Sequence, residues 1–249
     1  MEVLIFVFGL VIGSFLNVCI YRIPLKESII KSPSHCTMCN EKIKPKDLIP
    51  VLSYIILKGK CRYCKGKISV RYPLIEILNA FLYLFCYFRV GLDVVLFPLL
   101  GLCSVLLVMS VIDMDTKEIP NRLVLILLVL GVVNVIINPS ITIIKAAVGF
   151  FAVSVPMLFI ALLTGGGMGG GDIKLMAAIG VFLGWSDVLA AFFIACFFAG
   201  LIGMLLILVK KKTRKDMIPF GPFLAVGILA VIFFGQDIIA WYTGIAGIL

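Results

Sequence analysis

Four of the eight cysteines and three of the aspartates hold most of the chemistry this 249-residue chain can offer. Cys36-Thr37-Met38-Cys39 and Cys61-Arg62-Tyr63-Cys64 are two CxxC knuckles separated by 21 residues. A two-residue gap lets both thiolates of a pair turn toward one ion, and two pairs complete the tetrahedral shell that zinc prefers. Lys42, Lys44, Lys60, Arg62 and Lys65 stand close by in sequence and would offset the charge of four thiolates. A disulfide framework is the rival reading, and a cytoplasmic position, argued below, disfavours it. Zinc here reads as structural, holding together a lobe too short to build its own core. Catalytic zinc would want an open position with His or carboxylate ligands. The single histidine, His35, is adjacent but surplus to a four-cysteine shell. Cys19, Cys86, Cys103 and Cys196 lie in apolar runs and read as packing residues.

The aspartates fall in two clusters beside long apolar runs, where an ionisable group is costly unless paired or hydrated. One cluster is Asp113-Met114-Asp115-Thr116-Lys117-Glu118-Ile119-Pro120-Asn121, and the other is the glycine-rich stretch from Gly165 to Asp172 and Lys174. Two carboxyls brought together can divide the work of hydrolysis, one taking a proton from water while the other, protonated, polarises the scissile carbonyl. The alternative is structural, with Asp113 and Asp115 capping the next helix or binding loop cations and Asp172 capping the helix that starts at Ile173. The residues alone leave both readings open. The glycine run contains a formal GxGxxG from Gly165 to Gly170, but it lies between membrane helices rather than in a βαβ unit, so the dinucleotide reading fails. No Lys-Ser or Lys-Thr follows it, and no GxSxG elbow exists for a serine nucleophile. What the glycines do give is a narrow, pliant backbone beside Asp172, suited to close approach by another chain.

The elements that must position these groups are transmembrane helices. Hydrophobic residues make up 62% of the chain and charged residues only 14%, more apolar side chain than a soluble fold can hide. Continuous apolar runs at about 1–20, 73–90, 94–112, 123–138, 141–163, 173–186, 188–209 and 218–235 predict about eight membrane helices, all-α, and disfavour a β-barrel. The run at 173–186 is short for a crossing and carries Gly180 and Gly184. The net charge of +9 resolves by location. With the N-terminus outside, segments 22–72, 113–122, 164–174 and 210–217 face the cytoplasm and hold 12, 2, 1 and 5 of the 22 Lys and Arg residues, leaving Arg89 and Lys145. The positive-inside rule selects that orientation, and anionic lipid accounts for the surplus without nucleic acid. The first run lacks a basic lead, and Arg22 and Lys26 follow it, so it reads as an anchor rather than a cleaved signal. The stretch from Lys210 to Lys215 reads as a topological anchor and Ile238–Leu249 as an interfacial segment. Residues 1–21 are then a first helix, 22–72 a cytoplasmic zinc-ribbon-like lobe, and 73–249 the membrane-embedded remainder.

Taken together, several segments resemble the prepilin peptidase family, membrane-embedded aspartic proteases also called type IV leader peptidases. They are Gly13-Ser14-Phe15-Leu16-Asn17-Val18 with Tyr21-Arg22-Ile23-Pro24, the paired CxxC loop, Arg71-Tyr72-Pro73-Leu74-Ile75-Glu76, the Asp113–Asn121 stretch, and Gly169-Gly170-Gly171-Asp172-Ile173-Lys174. The resemblance implies that Asp113 and Asp172 are the catalytic pair, Asp113 standing six residues before the Ile of Ile119-Pro120-Asn121, with Asp115 as the fallback. It implies a prepilin or pseudopilin precursor as substrate, cut after a short basic leader at the cytoplasmic face of the plasma membrane. It also implies methylation of the new N-terminus with S-adenosylmethionine as donor, an expectation that no spacing in this chain supplies.

Other residues carry weaker signals. Glu76 and Asn79 lie one turn apart inside a span, where the carboxylate could pair with Arg22 or Arg71 or meet the amine of a cleaved substrate. Lys174 could steady Asp172 or reach the headgroups. An ion-coupled transporter is the rival from another class, but it would favour acids at the bilayer midplane and repeated halves, and neither is evident. A zinc-stabilised assembly factor without catalysis is the third reading, and it predicts that changing both aspartates leaves function intact.

Overall fold

The computed structural model describes residues 1–30, 33–165, 167–209 and 218–245, with the backbone alone for 236–245. The Lys210–Lys215 anchor, Gly166 and residues 246–249 lie outside the described residues. The chain is helical, as its apolar runs predict: α1 (Glu2–Arg22), α2 (Leu52–Ile56), α3 (Arg71–Val90), α4 (Leu96–Thr116), α5 (Asn121–Ile137), α6 (Ile143–Ala152), α7 (Ser154–Leu163), α8 (Gly170–Leu183), α9 (Trp185–Leu208) and α10 (Gly221–Ile245). Among the described residues, α1, α3, α4, α9 and the continuous pair α6–α7 are long and apolar enough to cross a membrane, while α5 and the 221–235 part of α10 are shorter apolar helices. This is an integral membrane protein of the helical type.

The predicted span at 141–163 is broken once, at Val153, which joins α6 to α7 with φ −106° and ψ −39°. Pro156 explains the break, because it lacks the N–H that would meet the carbonyl of Ala152 and its ring crowds the preceding turn. The next boundary belongs to Gly184. Its φ of +85° ends α8 and starts α9, and its N–H donates to Gly180 O at 2.9 Å. A left-handed turn of this kind favours glycine. At the far end α10 continues through Gln236 and Asp237 to Ile245, so the stretch read as a separate interfacial segment begins as more of the same helix.

Two compact units divide within α4, one covering Met1–Val108 and the other Met109–Leu249. In the first, α1 lies against α3 with almost no side chain between them. A Cβ on Gly9 would come within 2.6 Å of Ala80 Cα, and one on Gly13 within 2.6 Å of Glu76 Cα. Gly9 and Gly13 are thus a small-xxx-small face, the device by which helices approach closely in lipid. Polar side chains then tie the backbones together. Asn79 Nδ2 donates to Gly9 O at 2.8 Å, and Asn17 Nδ2 donates to Tyr72 O at 3.1 Å. Ser104 on α4 donates to Asn79 Oδ1 at 3.1 Å and shares a 2.9 Å hydrogen bond with Tyr83. Cys86 and Cys103 bring their sulfurs to 3.4 Å in the same buried contact, a packing role of the kind predicted.

Glu76, buried in α3, accepts a 2.8 Å hydrogen bond from the backbone N–H of Val51, at the start of the short α2. Val51 has φ +60°, an unusual conformation for a β-branched residue. The carboxylate therefore joins the membrane helix to the polar loop through the main chain, a partner that no charge pairing on paper suggests. Arg22, at the end of α1, donates to the carbonyls of Ser28, Ile29 and Pro33 and so gathers the loop that follows.

In the second unit α8 is the central element, with Leu175, Met176, Ala178, Ile179 and Phe182 buried. It packs on α5 and α6, again through missing side chains. A Cβ on Gly149 would lie 2.2 Å from Gly180 O, and one on Gly180 would lie 2.0 Å from Gly149 O. Neither position tolerates even alanine without moving a helix. Gly131 on α5 meets the backbone of Phe182, whose carbonyl accepts from Asn134 Nδ2 at 2.9 Å. Gly227 on α10 would place a Cβ 2.2 Å from Ala191 O on α9.

Candidate functional site: a four-thiol cluster and a carboxyl pair

The cysteine lobe is two copies of one turn. Cys36 N–H donates to Glu41 O at 2.9 Å, and Cys61 N–H to Gly66 O at 2.8 Å. Asn40 N–H returns to Cys36 O at 2.8 Å, and Lys65 N–H to Cys61 O at 3.1 Å. Asn40 and Lys65 take the left-handed conformation, with φ +57° and +59°. Antiparallel bridges His35–Lys42 and Lys60–Lys67 close the two turns. These backbone bonds aim the sulfurs inward, so that Cys36, Cys39, Cys61 and Cys64 bring all four Sγ atoms within 4.8 Å of one another. Cys36 Sγ and Cys64 Sγ are 3.9 Å apart. A zinc ion with tetrahedral bonds of about 2.3 Å needs sulfur separations of about 3.8 Å, so the donor set fits the metal. His35 stays outside, its Nδ1 placed 3.4 Å from Pro33 O.

Electrostatics within the lobe lower one thiol and raise another, Cys39 moving up to about 11. Backbone N–H groups of Cys39 and Met38 pull the Cys36 thiol down to about 7. Of the cations expected to offset the cluster, Arg62 is engaged by Asp47 instead, Nε donating to Oδ2 at 2.8 Å and the terminal nitrogen to Oδ1 at 2.5 Å. That guanidinium holds the Asp47 carboxyl below its ordinary value. Lys44 sits 5.8 Å over the Tyr63 ring.

The carboxyl pair is assembled from the ends of three helices of the second unit. Asp113 lies in the last turn of α4, which stops where Lys117 takes φ +57° and donates its N–H back to Asp113 O at 2.8 Å. The Asp113 residue is 5% exposed, whereas Asp115 is exposed. Asp113 Oδ2 accepts the N–H of Gly221, the first residue of α10, at 2.8 Å. Asp172 is the third residue of α8, close enough to Asp113 for the two charges to act on each other. Its Oδ1 is buried and has no hydrogen-bond partner among the described residues. The glycines around it make room. A Cβ on Gly169 would fall 2.8 Å from Asp172 Oδ2, and one on Gly171 would fall 2.8 Å from Cβ of Ile119. Both acids thus meet a helix start, where unpaired N–H groups favour negative charge.

The structure treats the remaining sequence candidates differently. Lys174 is exposed and turns to Asn121, its Nζ donating to Oδ1 at 3.0 Å. Gly221 was not among the predicted site residues. Its signal in the sequence is Phe220-Gly221-Pro222, a break and restart of the kind that opens a helix. Nothing in that signal says which side chain the new helix start will meet.

A helical membrane protein with a four-thiol lobe and a close pair of carboxyls is the class these features define. Residues 7–90 match the Bacterial Peptidase A24 N-terminal domain, and residues 100–204 match the Type IV leader peptidase family. A protein of Bacillus subtilis (strain 168) called prepilin leader peptidase/N-methyltransferase is 36% identical over 98% of both chains. Proteins of the same name from Xanthomonas campestris and Pseudomonas putida are 34% and 33% identical, covering 96% and 94% of this chain and 93% and 91% of their own. No solved structure matches. The chain belongs to the type IV leader peptidase family.

Proposed function

We propose that this protein is a membrane-embedded aspartic endopeptidase that removes the leader of type IV prepilins or pseudopilins and then N-methylates the exposed terminus. The observation that carries the reading is that Asp113, held at the start of α10, and Asp172, at the start of α8, are far apart in sequence yet near enough for their charges to interact, and are partly withdrawn from solvent. Asp113, with Oδ2 already accepting an N–H, is suited to take a proton from water through its other oxygen. Asp172, with Oδ1 undonated among the described residues, is suited to give a hydrogen to the scissile carbonyl. Water then adds to the carbonyl carbon, the carbon–nitrogen bond breaks, and the amine leaves with the proton Asp113 took up. As the carbonyl re-forms, a hydroxyl proton of the intermediate goes back to Asp172, so the products are the released leader with a new carboxyl end and a new N-terminal amine, and the pair is in its starting state.

Charge distribution supports an inner or sole plasma membrane, with the N-terminus of α1 outside and both acids at the cytoplasmic face. A prepilin would lay its hydrophobic helix in the bilayer and leave its basic leader in the cytoplasm. In the 22–72 lobe, Cys36, Cys39, Cys61 and Cys64 would hold a structural zinc ion, which fixes two turns that have no apolar core of their own. S-adenosylmethionine as methyl donor rests on the names of the relatives.

The test is leader removal from a candidate prepilin by wild type, Asp113→Asn, Asp115→Ala and Asp172→Asn, with transfer of labelled methyl to the product followed in parallel. Loss of cleavage in the Asp113 and Asp172 variants, with activity kept by Asp115→Ala, is the expected result. Full cleavage by Asp172→Asn would defeat the proposal.

A further inference from the structure

We infer that Gly221 is a positioning residue for the peptidase reaction, and that the start of α10 aims the carboxylate of Asp113. The inference rests on the assignment of Asp113 as catalytic and adds to it the part that holds this side chain still.

Two observations on Gly221 point the same way. Its N–H donates to Asp113 Oδ2 at 2.8 Å in a buried setting. A Cβ at the same residue would stand 2.8 Å from that oxygen, 3.2 Å from Cγ and 3.3 Å from Cβ of Asp113. The backbone supplies the donor, and the absence of a side chain lets the carboxylate reach it. The local geometry leaves no substitute. Phe223 and Leu224 donate to Phe220 O at 3.0 and 3.1 Å, and Pro222 has no N–H, so of residues 221–224 only Gly221 has its N–H left for Asp113 among the described residues. Phe220 is itself fixed by an edge-on contact with Phe192 of α9, their ring centres 6.5 Å apart. Gly221 has no positive φ that would demand glycine. By helix propensity alone alanine would be the better residue here. What glycine provides is room for Asp113.

The experiment uses the full-length protein in detergent with a purified prepilin, measuring kcat, KM and unfolding midpoint for wild type, Gly221→Ala, Asp113→Asn, Asp113→Ala and Asp113→Ala/Gly221→Ala. Displacing a reacting group by a fraction of an ångström to an ångström costs about 10- to 100-fold in rate. Gly221→Ala is expected to lower kcat by that factor, with KM within about twofold of wild type. The added methyl should also lower the unfolding midpoint less, or not at all, in the Asp113→Ala background, because the group it strikes is gone. A kcat for Gly221→Ala within about twofold of wild type would overturn the inference while leaving the Asp113 assignment intact. Cleavage by Asp113→Asn would instead remove the assignment itself. If Gly221→Ala alone does not fold, the stability comparison decides: a double variant that folds like Asp113→Ala supports the inference, and one that also fails overturns it.

Discussion

The four-thiol lobe collects its ligands from two short turns, each closed by the same pair of backbone bonds over six residues. The carboxyl pair is collected from the end of α4 and the starts of α8 and α10, with Asp113 and Gly221 standing 108 positions apart. The first centre repeats a local rule twice. The second exists only if the helices of its unit settle against one another to within an ångström, which in this chain is the task of Gly131, Gly149, Gly180 and Gly227. The two should therefore fail differently, the lobe through its metal and the pair through its helix packing.

The sharpest separation comes from the acids themselves. Asp113→Asn or Asp172→Asn is expected to lower leader cleavage by about 1,000-fold or more, while elemental analysis still finds about one zinc per chain. Loss of zinc from either variant would mean that the two centres are not independent. Next in size is the packing test. Gly180→Val should lower the stability of the unit by about 3 kcal/mol or more, read as an unfolding midpoint in detergent, because its new carbons meet the backbone of α6. An unchanged midpoint would show that α6 and α8 do not touch there.

A smaller effect is expected from the metal. Chelation should open the 34–67 region to limited proteolysis and reduce cleavage without abolishing it, since the lobe holds neither carboxyl. Zinc uptake by the stripped lobe should be slower at roughly pH 6 than at pH 8. The Cys36 thiol, brought down to about 7, is thiolate above that pH and takes up a proton below it. Equal uptake rates at the two pH values would remove Cys36 as the first point of capture. The smallest effect belongs to Asp115→Ala, expected within about twofold of wild-type cleavage because that side chain is exposed. A loss as large as that from Asp113→Asn would reopen the choice between them.

What could be read from residue order follows the same division. The apolar runs gave the helices, and the CxxC spacing gave the thiol cluster, because both are local patterns. Asp113 and Asp172 could be listed as candidates, but their convergence depends on contacts such as Gly149 against Gly180, and a glycine in a sequence does not name the backbone it will touch. Glu76 was weighed against arginines, yet its observed partner is the N–H of Val51, a group every residue but proline carries and no pattern marks. Gly221 escaped notice for the same reason, its contribution being main chain. Lys174 was weighed against Asp172 and headgroups, and its observed partner is Asn121, a neutral neighbour brought near by the packing of α5 on α8.

The helix that opens with the glycines and Asp172 has only 14 residues. At 1.5 Å per residue it rises about 21 Å, some 9 Å less than an ordinary hydrocarbon layer. A helix of that length cannot reach both surfaces by itself, and α8 is sheathed by α5 and α6 rather than left to the lipid. Sheathed that way, a short rod can stop below the surface without stranding its polar first turn in oil, and Asp172 stands in that turn.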